Sequence, residues 1–223
     1  MRICHWITVV AFGYLVVSGI AILLHFPELY WGKVGFRGHE AVFKLADWGL
    51  SWDQAARLGN RKWGRNYHYL FAWVFVINGL VYLAWNLWQR HFQRHMLPSR
   101  RELTMEQLTA TLREHGLFSR PVGEAARSYS TLQKLAYSLV VFVLLPFMLI
   151  SGLAQMPAFT AIAPWLIDLF GGRQSARTLH VVGMMVLLLF LAVHVLRVVA
   201  AGPVNEIRAM ITGKYQLARG EER

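Results

Sequence analysis

Four long runs without a charged residue constrain the fold of this chain more than any other feature of its sequence. The runs cover residues 3–27, 66–89, 135–167 and 178–196. Each can cross the roughly 30 Å hydrocarbon core of a bilayer as an α-helix, which rises about 1.5 Å per residue. We therefore expect an all-α membrane protein, a single domain over residues 1–223 whose four transmembrane helices form a bundle. The predicted spans are about 4–24, 67–88, 133–155 and 178–199.

The distribution of basic residues predicts the orientation of these spans. With four spans, both termini lie on one side of the membrane. That side, which includes the central loop, carries 14 Lys and Arg residues, against 9 on the other side. Cytoplasmic segments are usually the more basic ones, so we expect cytoplasmic termini and a place in the bacterial inner membrane. The formal net charge of +11 fits contact with anionic membrane lipids and requires no nucleic-acid partner.

Two loops carry patterns that are typical of short interfacial helices. The segment LTMEQLTATLREHG (103–116) has leucines at helical spacing before a terminating glycine. The segment AFTAIAPWLIDLFGG (158–172) follows a proline and is largely apolar. The first and third spans also share a weak echo, LVVSGIAIL (15–23) and FMLISGLAQM (147–156). Such an echo fits paired helices with glycine at tight contacts.

Histidines in the apolar runs fall into two pairs. His180 and His194 lie on the same span, where fourteen residues turn about 1400° and rise roughly 21 Å, so both point the same way near opposite membrane surfaces. His5 opens the first span, which begins inside, and His68 opens the second span, which begins outside. His5 therefore lies at the depth of His194, and His68 at the depth of His180.

Two imidazoles that face each other from different helices can be the axial ligands of a six-coordinate haem b. We therefore predict two non-covalent haem b groups, because the only cysteine is Cys4 and the chain has no C-x-x-C-H motif for covalent attachment. Histidines that merely bond neighbouring helices are the alternative. Metal-dependent hydrolysis would need an H-E-x-x-H motif, and proton pumping would need carboxylates in the spans; the sequence has neither.

Glycines and arginines near the four histidines fit the same prediction. Three glycines lie on or near the histidine faces, where a flat porphyrin could approach the helix, although helix packing also explains them: Gly19, Gly79 and Gly183. Each predicted ligand has an arginine three residues toward its membrane surface: Arg2, Arg65, Arg177 and Arg197. Guanidinium groups pair well with the propionates of haem. Arginines that only mark the span ends by reaching out to water are the alternative.

Several segments resemble those of bacterial di-haem cytochrome b subunits. They are RICHW and HFPELYWG around the first span, GRNYHYLFAWVFVINGLVYL in the second, LQKLAYSLVVFVLLPFMLISGLA in the third, LHVVG and VHV in the fourth, and MITGKY in the tail. The group includes the membrane subunits of formate dehydrogenase and nickel–iron hydrogenase, and the closer resemblance is to thiosulfate reductase cytochrome b subunits. It covers nearly the whole chain, although family members usually have several residues before RICHW, where this chain starts.

The resemblance implies an electron-transfer subunit without a catalytic residue of its own. Such a subunit would anchor a periplasmic molybdopterin oxidoreductase, or another redox subunit, and would exchange electrons with quinone. The resemblance also implies the pairing of His5 with His194 and of His68 with His180. Association of the chain with copies of itself stays open.

Three other functions remain as alternatives. The first is a stand-alone, quinone-linked haem oxidoreductase that acts on a small soluble substrate. The second is a structural anchor without haem. The third is a transporter, for which no pair of broken helices with polar residues at mid-membrane is evident.

Overall fold

Four long helices dominate the computed structural model, which describes residues 2–36, 38–89, 92, 98, 102, 104, 109 and 130–214. Each is long and apolar enough to cross a membrane: Arg2–His25, Arg61–Trp88, Thr131–Leu153 and Arg173–Ala201. The predicted four-span helical fold is confirmed. Apart from Thr104 and Thr109, the helix predicted at 103–116 lies outside the described residues.

The first span is α1 (Arg2–His25) and the second is α3 (Arg61–Trp88). The second span and the fourth, α8 (Arg173–Ala201), begin before the predicted boundaries at 67 and 178. Arginine favours helix as strongly as leucine does, and its long side chain can reach polar surroundings from inside a helix end. The charged residues therefore end the apolar run without ending the helix.

The third span contains a widened turn. It consists of α4 (Thr131–Leu139), a π-helical turn (Val140–Leu144) and α5 (Leu145–Leu153). The Leu145 N–H donates to the carbonyl of Val140, five residues back. Proline has no N–H to donate and crowds the carbonyl four residues before it, so Pro146 accounts for the widening just before it.

The loop between α1 and α3, residues 26–60, carries more structure than the sequence predicts. Strands β1 (Glu28–Leu29) and β2 (Phe43–Lys44) form a short antiparallel pair, followed by a 3-10 turn (Leu45–Trp48) and helix α2 (Trp52–Leu58). The predicted segment 158–172 contains two short helices, α6 (Pro157–Thr160) and α7 (Trp165–Leu169). Helix α9 (Pro203–Thr212) follows the fourth span.

The described residues group into two compact units. The first comprises residues 3–83 and 146–185, and the second comprises the remaining described residues. In the first unit, Ala154, Leu166 and Ala176 are buried together, so the residue that follows α5 shares a small core with α7 and α8. The prediction of a single domain stays a prediction.

Hydrogen bonds fix the loop 26–60 to the start of α8. The carbonyl of Gly32 accepts from the N–H groups of Gln174 and Ser175, and the N–H of Gly32 donates to Ser175 Oγ at 2.7 Å. Thr178 Oγ1 donates to the carbonyl of Tyr30 at 2.6 Å. The first N–H groups of a helix have no partner within it, so Gly32 satisfies donors that would otherwise be left unpaired. Tyr30 is buried here, and its burial, together with its hydrogen bond to Glu28, raises the pKa of the Tyr30 hydroxyl.

A buried asparagine connects the first two spans. Asn78 is 8% exposed, and its Nδ2 donates to the carbonyl of Cys4 and to Thr8 Oγ1, both at 2.9 Å. The amide thereby links α3 to the turn of α1 that carries His5.

Replacing Asn78 by leucine is expected to lower the free energy of unfolding by about 1 kcal/mol, the usual range for interhelical hydrogen bonds in membranes. Unfolding in mixed detergent micelles measures the change. The Thr8→Val variant removes one acceptor of the same amide, so the two losses should be less than additive in a double-mutant cycle. Fully additive losses would contradict a shared interaction.

Candidate functional site

Two of the predicted histidines lie together in the first unit. The ring centroids of His68 on α3 and His180 on α8 are 6.2 Å apart, and the ring planes are inclined by 69°. Metal–imidazole bonds are about 2 Å long and a ring centre lies roughly 1 Å beyond its nitrogen, so rings on opposite sides of one ion have centres roughly 6 Å apart. The observed spacing therefore suits two imidazoles that bind the same metal ion.

Each of these rings is bound by a buried serine from another helix. Ser18 Oγ on α1 lies 3.0 Å from His68 Nδ1, and Ser151 Oγ on α5 lies 2.9 Å from His180 Nδ1. Both serines are 0% exposed. Each hydroxyl also donates to a carbonyl of its own helix: Ser18 to Tyr14 at 2.5 Å, and Ser151 to Met148 at 3.2 Å.

These hydrogen bonds suit one tautomer of both rings. A hydroxyl has one proton, and a carbonyl can only accept. A serine that donates its proton to a carbonyl can only accept from the ring, so this arrangement suits the tautomer with the proton on Nδ1. The lone pair of each neutral imidazole is then on Nε2, which is the nitrogen left to bind a metal.

Glycines allow two helices to approach these rings closely. A Cβ built on Gly19 would lie 3.5 Å from His68 Cε1 and 3.7 Å from Met184 Sδ, and one built on Gly152 would lie 3.3 Å from His180 Cε1. Gly183 has a packing role instead, because a Cβ there would lie 2.5 Å from Met148 Sδ. A Cβ on Gly79 would meet nothing within 4 Å.

The two histidines have equivalent supports, and sequence reasoning missed half of them. Ser18 hydrogen-bonds His68 and Gly19 lies beside its ring. Ser151 and Gly152 make the same contacts with His180. The signal was the S-G-x-A echo between the first and third spans, which was interpreted only as helix packing. A second echo joins the other two spans, because RKWGRNYH (61–68) and RQSARTLH (173–180) both place arginines seven and three residues before the histidine.

Arginines near this pair have different surroundings. The guanidinium of Arg177 donates to the carbonyls of Phe26 and Glu28 and lies 5.9 Å from the centre of the Phe26 ring. Arg61 lies 5.4 Å from the same ring, and the side chains of both Arg61 and Arg65 are exposed. In the part of the chain that the structure describes, neither Arg61 nor Arg177 has a carboxylate within salt-bridge distance. The guanidinium groups of Arg61 and Arg177 therefore leave a local excess of positive charge beside Phe26.

The other predicted site residues belong to different units. His5 lies in the first unit, with its ring centre 5.7 Å from that of Trp6. His194 lies in the second unit, with the rings of Phe190 and Tyr137 at 6.1 and 6.5 Å. Two arginines belong to the second unit: Arg2, which donates to the Ile211 carbonyl at 3.1 Å, and Arg197, which is half-buried.

Only paired ligands are available at His68 and His180. Among the described residues, no group of three or more His, Cys, Asp or Glu side chains could hold a metal ion. Two imidazoles that can each offer an Nε2 lone pair suit a metal whose remaining ligands come from a bound organic group.

Comparisons with known proteins bear on the whole chain. The family model for prokaryotic cytochrome b561 matches residues 1–213. A protein of Azospira oryzae is 30% identical over 213 residues, which is 96% of this chain and 93% of that protein. It is provisionally named protein-methionine-sulfoxide reductase subunit YedZ1. No solved structure matches the chain significantly.

Proposed function

Because the chain belongs to the prokaryotic cytochrome b561 family, we propose that it carries electrons between the quinone pool and a periplasmic oxidoreductase. Membership of this family makes it a multi-pass bacterial membrane protein that binds haem b and transfers electrons. The finer proposal depends on one observation: His68 and His180 lie 6.2 Å apart, and a buried serine binds Nδ1 of each ring.

The residues around this pair fit haem b, which supplies one-electron redox chemistry when it is bound. His68 and His180 would hold the haem through Nε2. Ser18 and Ser151 hold the two rings in the tautomer that this ligation requires. Gly19 and Gly152 keep side chains away from the flanks of the rings.

Arg177 is the proposed partner for a haem propionate. Its guanidinium has five N–H donors, and two of them are used on backbone carbonyls. Arg61 places a second positive charge beside the Phe26 ring, which Arg177 also faces. The propionate carboxylates of haem would neutralise the charges of Arg177 and Arg61. Arg65 remains a further candidate for propionate contact.

A second haem b is proposed from the sequence alone. His5 and His194 are its proposed ligands, Arg2 and Arg197 its proposed propionate contacts, and Gly79 a place where porphyrin could approach. With two haems, the chain would link redox partners on opposite sides of the membrane.

The proposed partner is a molybdopterin oxidoreductase that acts on an oxidised sulfur compound. Two resemblances support this class. The sequence resembles thiosulfate reductase cytochrome b subunits, and the relative from Azospira oryzae is named as a subunit of a methionine sulfoxide reductase. In this arrangement quinol in the membrane supplies electrons to the chain, which passes them to the partner.

The haem content of the purified chain tests this proposal. We expect two haem b per chain by pyridine haemochrome assay. We also expect duroquinol to reduce the haem under anaerobic conditions, as followed at the haem α band. One haem would contradict the second pair, and a folded but colourless preparation would contradict electron transfer. Turnover of a small substrate by the chain alone would favour the stand-alone oxidoreductase.

Replacing Gly152 by alanine is expected to weaken haem binding about tenfold, the lower end of the effect of disturbing a ligand's support. The added methyl would lie 3.3 Å from His180 Cε1 and would press on the ring that Ser151 holds. Titration of the haem-free chain with haemin measures the dissociation constant. Gly13→Ala is the control, because a Cβ there meets nothing within 4 Å; equal effects of both variants would contradict the prediction.

A further inference from the structure

We propose that Ser18 and Ser151 are matched positioning residues that lower the redox potential of the haem held by His68 and His180. This inference rests on the proposed function, because it needs haem at this pair. Neither serine would touch the iron, and each would act through the imidazole that it binds.

The hydrogen bonds of the two serines lie out of reach of water. Both side chains are completely buried in a segment that crosses the membrane, so water cannot replace a missing acceptor. A ring N–H that loses its acceptor in such surroundings pays the full cost of its desolvation. Each serine therefore contributes to the orientation of its ring and favours the tautomer with the proton on Nδ1.

Acceptance of the Nδ1 proton also changes how strongly Nε2 donates electrons. A hydrogen bond from Nδ1–H to an oxygen pulls the proton away from the ring, which makes the imidazole a more basic ligand. A more basic ligand stabilises ferric iron more than ferrous iron. The serines are therefore expected to lower the midpoint potential, and their removal is expected to raise it.

The contacts of the two serines with their histidines are equivalent, so the effects of removing each serine can be compared. Ser18 lies 3.0 Å from its ring and Ser151 lies 2.9 Å from its ring. Each serine is followed by a glycine whose Cβ position lies within 3.5 Å of Cε1 of the same ring. Because the two serines would act on the same haem, each through its own histidine, loss of either should shift the potential in the same direction by a similar amount.

The test compares Ser18→Ala and Ser151→Ala with Ser175→Ala. Ser175 is also 0% exposed and also accepts a hydrogen bond, from the Gly32 N–H, but it does not bind a histidine ring. Anaerobic potentiometric titration of the purified chain, followed at the haem α band, gives the midpoint potentials. Haemin titration of the haem-free protein gives the dissociation constant, and electron paramagnetic resonance reports the ligand field of the ferric state.

We expect each histidine-binding variant to raise the midpoint potential of the same haem and to weaken haem binding roughly 10- to 100-fold. Ser175→Ala should change neither. Ser18→Thr and Ser151→Thr keep the hydroxyl and should restore the wild-type potential. If one alanine variant does not fold, the other decides the result, because both serines serve one haem.

Two results would overturn the inference. One is an unchanged potential in Ser18→Ala or Ser151→Ala, and the other is an equal shift in Ser175→Ala. Either result, with normal haem in the unaltered chain, would leave the proposed function intact. Absence of haem from the unaltered, folded chain would instead overturn the proposed function.

Discussion

Replacing His68 by alanine is expected to lower the haem content of the purified chain from two haem b to one. The change removes one of two opposed imidazoles, and alanine offers the iron no ligand. His180 would remain as the one histidine of the pair, held by Ser151. Pyridine haemochrome content per chain, with a reduced-minus-oxidised spectrum, measures the loss.

Two matched histidine variants make this result specific. His39→Ala alters an exposed histidine in the loop 26–60 and should leave both haems in place. His194→Ala should also remove one haem, and the haem that remains should have the potential of the His68–His180 site. Retention of two haems by His68→Ala would contradict the assigned ligands. Loss of both haems from a folded His194→Ala chain would contradict independent sites.

The four spans could be predicted because the bilayer imposes both a length and a composition on a helix. Their ends were predicted less well, since Arg61 and Arg173 continue their helices beyond the apolar run. The loop 26–60 could not be predicted. Its hydrogen bonds connect Gly32 to Ser175, 143 residues apart in the sequence, and no local pattern announces such a contact.

Helix geometry explains why the pair formed by His68 and His180 could be predicted. A rigid helix fixes the depth of a residue in the membrane once the ends of the span are known. Matched depth was therefore enough to predict that the two histidines form a pair. The structure places their ring centres 6.2 Å apart. The roles of the four histidines as haem ligands remain a prediction that the haem content tests.

The serines were missed for a physical reason. A serine in a membrane span usually donates to a carbonyl of its own helix, and both Ser18 and Ser151 do so. Only the three-dimensional structure reveals that the same oxygen also hydrogen-bonds a ring on a neighbouring helix. The S-G-x-A echo held this information, but its meaning depends on which histidine faces each copy.

Replacing Gly172 by alanine is expected to destabilise the chain by about 4 kcal/mol or to prevent its accumulation. Gly172 has φ +138°, and a Cβ there would lie 2.2 Å from the Gly32 carbonyl oxygen. Because that obstacle is backbone, the loop 26–60 must move away from α8. The cost combines backbone strain of roughly 1–3 kcal/mol with the loss of hydrogen bonds at Gly32 of about 1 kcal/mol each. Thermal unfolding in detergent, followed by tryptophan fluorescence, measures the change.

A substitution at the neighbouring Gly171 distinguishes the cost of backbone strain from the cost of the steric clash with Gly32. Gly171 has φ +71°, and a Cβ there would meet nothing within 4 Å. Gly171→Ala should therefore cost only the roughly 1–2 kcal/mol of a left-handed alanine. Equal losses in the two variants would mean that the contact between Gly172 and Gly32 is unimportant. A larger loss at Gly172 would show that the contact with the loop 26–60 stabilises the start of α8, where Gly32 accepts from the first N–H groups.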